Sequence, residues 1–160
     1  MSEVYAVKPE NTLREKIGTD VLIEQILTPE KIKACQDIID KAHDDIFNEV
    51  LLNLADIKAE YLRMNDNLSE AKPHLIKIVN LTFILKGRLE ALGLTLGQEV
   101  TESLNRFAKN LTNITKEHVL IVSKHLDVLT VILKEKIHGD GGAMGREMLD
   151  SLSQLIKKIP

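Results

Sequence analysis

Aromatic residues and cysteines are scarce in this chain. Its 160 residues include no Trp, two Tyr, three Phe and one Cys. So few aromatic rings leave little surface on which nucleic acid bases could stack, and a single cysteine excludes an intrachain disulfide. Cys35 is best interpreted as a small packed hydrophobe, and its isolation suits a reducing compartment.

A surplus of positive charge and a long apolar run are also missing. Lys and Arg number 21 against 24 Asp and Glu, for a net charge of −3. This balance favours neither nucleic acid nor an anionic membrane as a partner. The longest apolar stretches, such as residues 119–122, are far too short to span a bilayer, and the N-terminus with Glu3 does not read as a secretory signal. We therefore expect a cytoplasmic protein.

Hydrophobic residues are plentiful, at 44% of the chain, and they fall at helical spacing. Thr28-Pro29-Glu30 is a typical helix start, because Thr caps, Pro fits the first position and Glu suits the positive end of the dipole. Apolar residues then recur every three or four positions: Ile32, Cys35, Ile39, Ala42, Ile46, Val50, Leu54, Ile57, Tyr61 and Met64. The pattern predicts one long amphipathic helix, ending near residues 65–67, whose stripe serves a core or a dimer contact.

Four further helices are expected after short connections. Ser69, Thr95 and Thr115 are the candidate caps of the second, third and fourth helices. The expected ends of the last four helices are Gly93, Leu111, Ile137 before Gly139, and Ile159. No segment alternates as a strand does, so the sequence predicts an all-α fold, an antiparallel four-helix bundle with a C-terminal helix. We expect one domain over residues 28–160, preceded by a partly irregular arm over residues 1–27.

The window over residues 83–87, FILKG, is the most informative part of the second helix. A glycine within a helix costs about 1 kcal/mol relative to alanine, so Gly87 needs a reason. The window resembles the signature of histidine-containing phosphotransfer (HPt) domains, His-x-Leu-Lys-Gly followed six residues later by Gly. Leu85, Lys86, Gly87 and Gly93 match in order and spacing, and Phe83 stands at the position of the phosphorylated histidine.

The resemblance extends to residues 8–18 and 137–142, which look similar to a bacterial subgroup of HPt proteins. It implies a four-helix bundle of HPt type that works in two-component signalling with no cofactor. Phenylalanine has no nucleophilic atom, so phosphotransfer at Phe83 is chemically excluded. The resemblance therefore implies a non-enzymatic module, without catalytic residues or metal ligands, that binds a response-regulator receiver domain or a histidine kinase.

Six residues of the second helix are the candidate partner-binding residues: Phe83, Lys86, Gly87, Glu90, Asn80 and Ile76. An exposed Phe above a Gly would make a flat apolar spot of the kind that interfaces use. The sequence leaves a second interpretation open, in which Phe83 turns into the core and Gly87 relieves a tight helix crossing.

Two other functions stay open beside the docking module. One is an active phosphotransfer protein that uses another histidine, although His125 is expected to face inward between apolar neighbours. The other is a structural or oligomerising bundle, such as a homodimer through the first helix. The Gly-rich segment over residues 139–146 is interpreted as a turn and helix cap, because it lacks the ending of a phosphate-binding loop.

Overall fold

The computed structural model describes residues 27–159, which form five α-helices and one 3₁₀ turn, with no strand among them. The elements are α1 (Pro29–Asp66), the 3₁₀ turn (Leu68–Glu70), α2 (Ala71–Ala91), α3 (Thr95–Lys109), α4 (Lys116–Lys134) and α5 (Gly142–Lys157). The prediction of an all-α fold is confirmed. The arm predicted over residues 1–27 lies, except for Leu27, outside the described residues.

Helix α1 begins and ends where the sequence predicts, but its apolar stripe is only half covered. The Lys31 N–H donates to Thr28 Oγ1 at 3.4 Å, which is the expected cap. Contacts divide the chain into two units, Met1–Lys41 and Ala42–Pro160. In the first unit the described part of the stripe, including Cys35, is exposed, so the interpretation of Cys35 as a packed hydrophobe is wrong. In the second unit the stripe is buried at Val50, Leu54, Ile57 and Met64.

The core lies in the second unit, and every one of its helices contributes aliphatic side chains to it. Its largest fully buried apolar residues are Ile57, Met64, Leu75, Ile78, Leu85, Leu89, Leu94, Leu96, Leu104, Leu129 and Ile132. α2 packs on α3, α3 packs on α4, and α5 contacts both α3 and α4. Among the helices of the described residues, none is long and apolar enough to cross a membrane.

The helix starts follow the predicted caps only in part. Thr115 caps α4 in a capping box with His118: the His118 N–H donates to Thr115 Oγ1, and the Thr115 N–H donates to His118 Nδ1. Ser69 does not cap α2, because the side chain of Asn67 caps the 3₁₀ turn instead and receives the Ser69 N–H. Thr95 is the first residue of α3 rather than its cap. Both predictions are wrong because a short turn or a one-residue shift moves the polar side chain away from the free N–H groups.

The predicted helix ends are also confirmed only in part. Gly93, at φ +66°, closes α2 as predicted, with the Leu94 N–H donating to the Leu89 carbonyl. The end predicted for α4 at Ile137 is wrong, since the helix stops at Lys134 and Lys136 adopts the left-handed conformation at φ 48°. The other two ends fall at Lys109 and Lys157, each two residues before the predicted one.

Two loops at the ends of α2 and α4 are joined by backbone hydrogen bonds. The Gly139 N–H donates to the Gly93 carbonyl at 3.1 Å, and the Leu96 N–H donates to the Gly139 carbonyl at 2.8 Å. Because Gly93 and Gly139 both have positive φ, the two turns present these groups to each other without a Cβ penalty. The bonds fix where α3 begins relative to the end of α4.

Candidate docking surface on the second helix

One face of α2 is covered by the core and the other is open to solvent. Its buried residues recur every three or four positions, at Ala71, Leu75, Ile78, Thr82, Leu85 and Leu89. The opposite face carries five of the six predicted residues, Ile76, Asn80, Phe83, Gly87 and Glu90, all of them exposed. We refer to these five residues as the Phe83 surface. It exists because α2 is amphipathic with an apolar residue left at the centre of its solvent side.

Phe83 is 71% exposed, the largest exposed fraction of any large apolar side chain among the described residues. Among residues 27–159, a Cβ built on Gly87 would have no heavy atom within 4 Å beyond its own helix neighbours. The interpretation in which Phe83 enters the core and Gly87 relieves a tight helix crossing is therefore wrong. Ile76, which is 53% exposed, lies two turns before Phe83 and extends the apolar area along the helix.

Lys86, the sixth predicted residue, lies at the edge of this surface toward α3. Its Nζ donates to Glu102 Oε2 at 2.7 Å, and its side chain is 34% exposed. The hydrogen bond and charge of Lys86 hold the pKa of Glu102 below its usual value. The Glu102 carboxyl is therefore ionised at neutral pH, and the lysine Nζ is directed to a carboxylate of the same chain.

A second ion pair borders α2 on the side of α1. Arg88 Nη2 lies 2.8 Å from Glu49 Oε2. The Phe83 surface is thus flanked by two ion pairs whose basic members both belong to α2, with Phe83 at its centre. The sequence analysis missed Ile84, which is 47% exposed beside Phe83, although an apolar residue inside the window 83–87 was the available signal. It also missed Glu102, which is 16 positions from Lys86 and carries no local signal.

His125 is fully buried, as its apolar neighbours predicted. Its Nδ1 donates to the Ile121 carbonyl at 2.9 Å, so in the neutral ring Nε2 accepts from Ser103 Oγ at 3.0 Å. Burial holds the pKa of His125 below its usual value, which keeps the ring uncharged. The Phe107 ring stacks on it, with centroids 6.4 Å apart. With both nitrogens bonded inside the protein, His125 is a link between α3 and α4 and not a phosphoacceptor.

The Gly-rich turn before α5 is a structural turn. Gly139, Gly141 and Gly142 all have positive φ, and Gly141 occupies the cap position of α5. The Gly142 N–H donates to Asp140 Oδ1 at 3.0 Å, so a carboxylate of the same turn already occupies one of the free amides. No group of three or more His, Cys, Asp and Glu side chains that could hold a metal ion occurs in the part of the chain that the structure describes.

The chain was compared with protein-family models, with curated proteins and with solved structures, and no match was found.

Proposed function

We propose that this chain is an HPt-like docking module that binds a response-regulator receiver domain or a histidine kinase through the Phe83 surface, without passing phosphate through it. The proposal includes the finer architecture, an antiparallel four-helix bundle of HPt type. The observation that carries it is the 71% exposure of Phe83 above the open space at Gly87. A solvent-exposed phenylalanine on a flat helix face is the kind of aromatic anchor that concentrates binding energy when a partner covers it.

Gly87 supports this proposal because neither packing nor backbone conformation within the described residues requires a glycine there. None of the described residues packs at Gly87, and its backbone is not in the left-handed region. A residue that costs about 1 kcal/mol in a helix and relieves no contact with any residue that the structure describes is explained by a partner that approaches closely. The absence of a side chain at Gly87 leaves the Phe83 ring accessible from the C-terminal side.

The ion pair of Lys86 supports binding without phosphate chemistry. Lys86 is held by Glu102 at 2.7 Å, so its charge is partly compensated within the protein. A phosphoryl group on the partner would have to compete with that carboxylate for the lysine. We therefore expect the partner to bind with similar affinity in its phosphorylated and unphosphorylated states. We expect neither nucleic acid nor a membrane as a partner, and we place the module in the cytoplasm.

The test is direct binding of the full chain to receiver domains and histidine-kinase domains of its source organism, measured by isothermal titration calorimetry. The variants Phe83→Asp and Gly87→Gln change the surface, and Leu120→Asp, at a side chain 56% exposed on α4, is the matched control. We expect one partner to bind, Phe83→Asp to weaken it more than about 30-fold, as for a hot-spot residue, and Leu120→Asp to change it less than about twofold. Equal effects of Phe83→Asp and Leu120→Asp, or no binding partner, would contradict the proposal.

An oligomerising bundle is the second candidate function. Ile32, Ile38 and Ile39 in the first half of α1 are each more than half exposed, which is unusual for three large aliphatic residues so close together. A dimer through this segment should dissociate in the variant Ile39→Asp when followed by sedimentation velocity. A wild-type chain that stays monomeric at the highest soluble concentration would exclude it.

A further inference from the structure

A groove with an apolar floor lies between α1 and α4, and no residue of α2 lines it. Its volume is about 460 Å³, and its floor is formed by Phe47, Leu51, Leu54 and Leu133. Leu54 and Leu133 are buried, whereas Leu51 is 43% exposed, so the groove is shallow and open to solvent. Ala55 also lines it, and its small side chain leaves room above the floor.

Three lysines surround this floor, and none of them is paired with an acid. Lys58 lies on the α1 wall, and Lys134 and Lys136 lie on the wall formed by the end of α4. Within residues 27–159, none of the three side chains forms an ion pair or donates a hydrogen bond, and no Asp or Glu lines the groove. We refer to the floor and these three lysines as the lysine groove.

The polar groups that the lysine groove offers to a ligand are basic. Lys136 Nζ lies 5.4 Å from the centroid of the Phe47 ring, and this cation–π contact holds it over the floor. Thr130, the remaining polar side chain of the lining, donates its hydroxyl to the Leu126 carbonyl at 2.6 Å. A ligand that complements both parts of the groove therefore has apolar atoms for the floor and acidic groups for the rim.

The attraction of an acidic ligand to this groove is local. The whole chain has a net charge of −3, so at long range it repels an anion. The three unpaired lysines act against that repulsion only on acidic groups that come within a Debye length, about 10 Å at 0.1 M salt. Binding through the groove therefore depends on where the acidic groups of the ligand lie relative to its apolar part.

The shape of the groove favours a helix as its occupant. The α1 wall extends from Phe47 to Lys58, about 16 Å or three helical turns at 1.5 Å per residue. Both walls are helices, whose backbone groups are bonded internally, so the groove has no sheet edge to which an extended peptide could add. A helix satisfies its own backbone groups on an apolar floor, whereas a small molecule needs a site that encloses most of its surface.

We propose that the lysine groove binds an amphipathic helix of a partner protein whose apolar stripe is flanked on both sides by Asp or Glu. Apolar residues at positions i, i+3 or i+4, and i+7 of that helix cover the floor between α1 and α4. Because Lys58 lies on one wall and Lys134 and Lys136 lie on the other, acidic residues on both flanks of the stripe meet a lysine. This site is distinct from the Phe83 surface and does not rest on the function proposed for it.

The test is fluorescence anisotropy of the full chain with a labelled synthetic peptide of about 18 residues, which is long enough to form a helix. The peptide carries leucines at the stripe positions and glutamates on both flanks, and a control peptide carries glutamines in place of the glutamates. We expect the acidic peptide to bind at least about fivefold more tightly than the control at low salt. In about 1 M NaCl the difference should shrink to less than about twofold, because salt screens the exposed charges.

Two substitutions in the groove, each with a matched control on the same helix, locate the binding site. Leu51→Asp should weaken binding at least about tenfold, whereas Leu52→Asp, at an exposed residue of α1 outside the groove, should change it less than about twofold. Lys134→Glu should weaken binding about threefold or more, whereas Lys116→Glu, at the other end of α4, should change it less than about twofold. Lys134 and Lys116 are both exposed, so this second pair keeps the test decisive if Leu51→Asp does not fold.

Failure of the acidic peptide to bind, or equal affinity for the glutamine peptide at low salt, would overturn the proposal. Equal effects of the groove substitutions and their controls would overturn it as well. If decanoate binds in place of the peptide and Leu51→Asp abolishes that binding, the occupant is a small anionic amphiphile and the proposal is wrong. It is also wrong if the wild type sediments as a dimer that Leu51→Asp dissociates, since the occupant is then a second copy of the chain.

The two docking sites can be tested separately. Phe83→Asp should leave the affinity for the acidic peptide unchanged, and Leu51→Asp should leave the binding of a receiver or kinase domain at the Phe83 surface unchanged. The failure of one proposal is therefore visible without the other.

Discussion

Replacing Gly87 by alanine should stabilise this protein. The residue lies within α2, and a Cβ added there would meet no atom of the described part of the chain within 4 Å. No steric penalty therefore offsets the higher helix propensity of alanine, and the full difference of about 0.8–1.0 kcal/mol should appear in the free energy of unfolding. For a chain of 160 residues this corresponds to a rise in Tm of about 2–4 °C.

The assay is urea unfolding followed by far-UV circular dichroism, together with a thermal scan. The midpoint should rise while the dependence of the free energy on urea stays the same, because the substitution leaves the area exposed on unfolding almost unchanged. If the Gly87→Ala variant were no more stable than the wild type, the reasoning would be refuted. It would mean that the backbone at Gly87 is not an unobstructed helix.

Gly93 provides a matched control six residues further on. A Cβ there would also meet no described atom within 4 Å, but the backbone has φ +66°. Gly93→Ala places an L side chain in the left-handed region and should lower the free energy of unfolding by about 1–2 kcal/mol. The two variants add the same methyl group to equally open positions of one helix and its cap, so their opposite signs isolate the backbone conformation as the cause.

The pair also separates stability from function. If the Phe83 surface binds a partner, a larger side chain at Gly87 should weaken binding while the fold becomes more stable. A loss of binding in Gly87→Gln could then not be attributed to unfolding. A variant that is more stable but binds its partner more weakly is the pattern expected for a residue that serves an interface.

Three further substitutions have outcomes that the structure determines. Gly145→Ala should destabilise the chain by about 1–3 kcal/mol in urea unfolding, because its Cβ would collide with the Asp140 carbonyl. Lys136→Gly should raise the free energy of unfolding by about 0.5–1 kcal/mol. Glycine removes the cost of about 1–2 kcal/mol for an L residue in the left-handed conformation, and the variant loses a cation–π contact with Phe47 that contributes about 0.5–1 kcal/mol. A Tm below that of the wild type would contradict this. The buried His125 has its pKa lowered from 6.5, so below about pH 6.5 the unfolded chain takes up a proton that the folded chain does not. Stability should therefore fall as the pH drops through this region, and His125→Gln should remove that component of a urea titration repeated across pH.

The helices could be predicted from the sequence because spacing and caps are local properties. Thr28-Pro29 and Thr115 act within one turn of their helices, and both predictions were confirmed. Apolar spacing identifies which residues share a face, but it does not say whether a neighbour covers that face. The periodicity of α1 is the same at Ile39 as at Val50, and only Val50 is buried.

The candidate site shows the same division between local and distant information. The Phe83 surface follows from helical geometry once α2 is placed, since its members are three or four residues apart. Whether Phe83 faces solvent depended on the helices around α2, and the sequence left that open. The Lys86–Glu102 and Glu60–His74 pairs join different helices, 16 and 14 positions apart, and no pattern within one helix indicates them.

The hydrogen bonds between the Gly93 and Gly139 loops have a consequence for how the molecule opens. Amide protons in surface loops ordinarily exchange with solvent by independent local fluctuations. Here the Gly139 amide donates to the Gly93 carbonyl, and the Leu96 amide at the start of α3 donates to the Gly139 carbonyl, so opening the Gly139 loop breaks both bonds. The Gly139 and Leu96 amides should therefore exchange with a common protection factor, and the Gly93 loop, the Gly139 loop and the start of α3 form one cooperative unit of the fold.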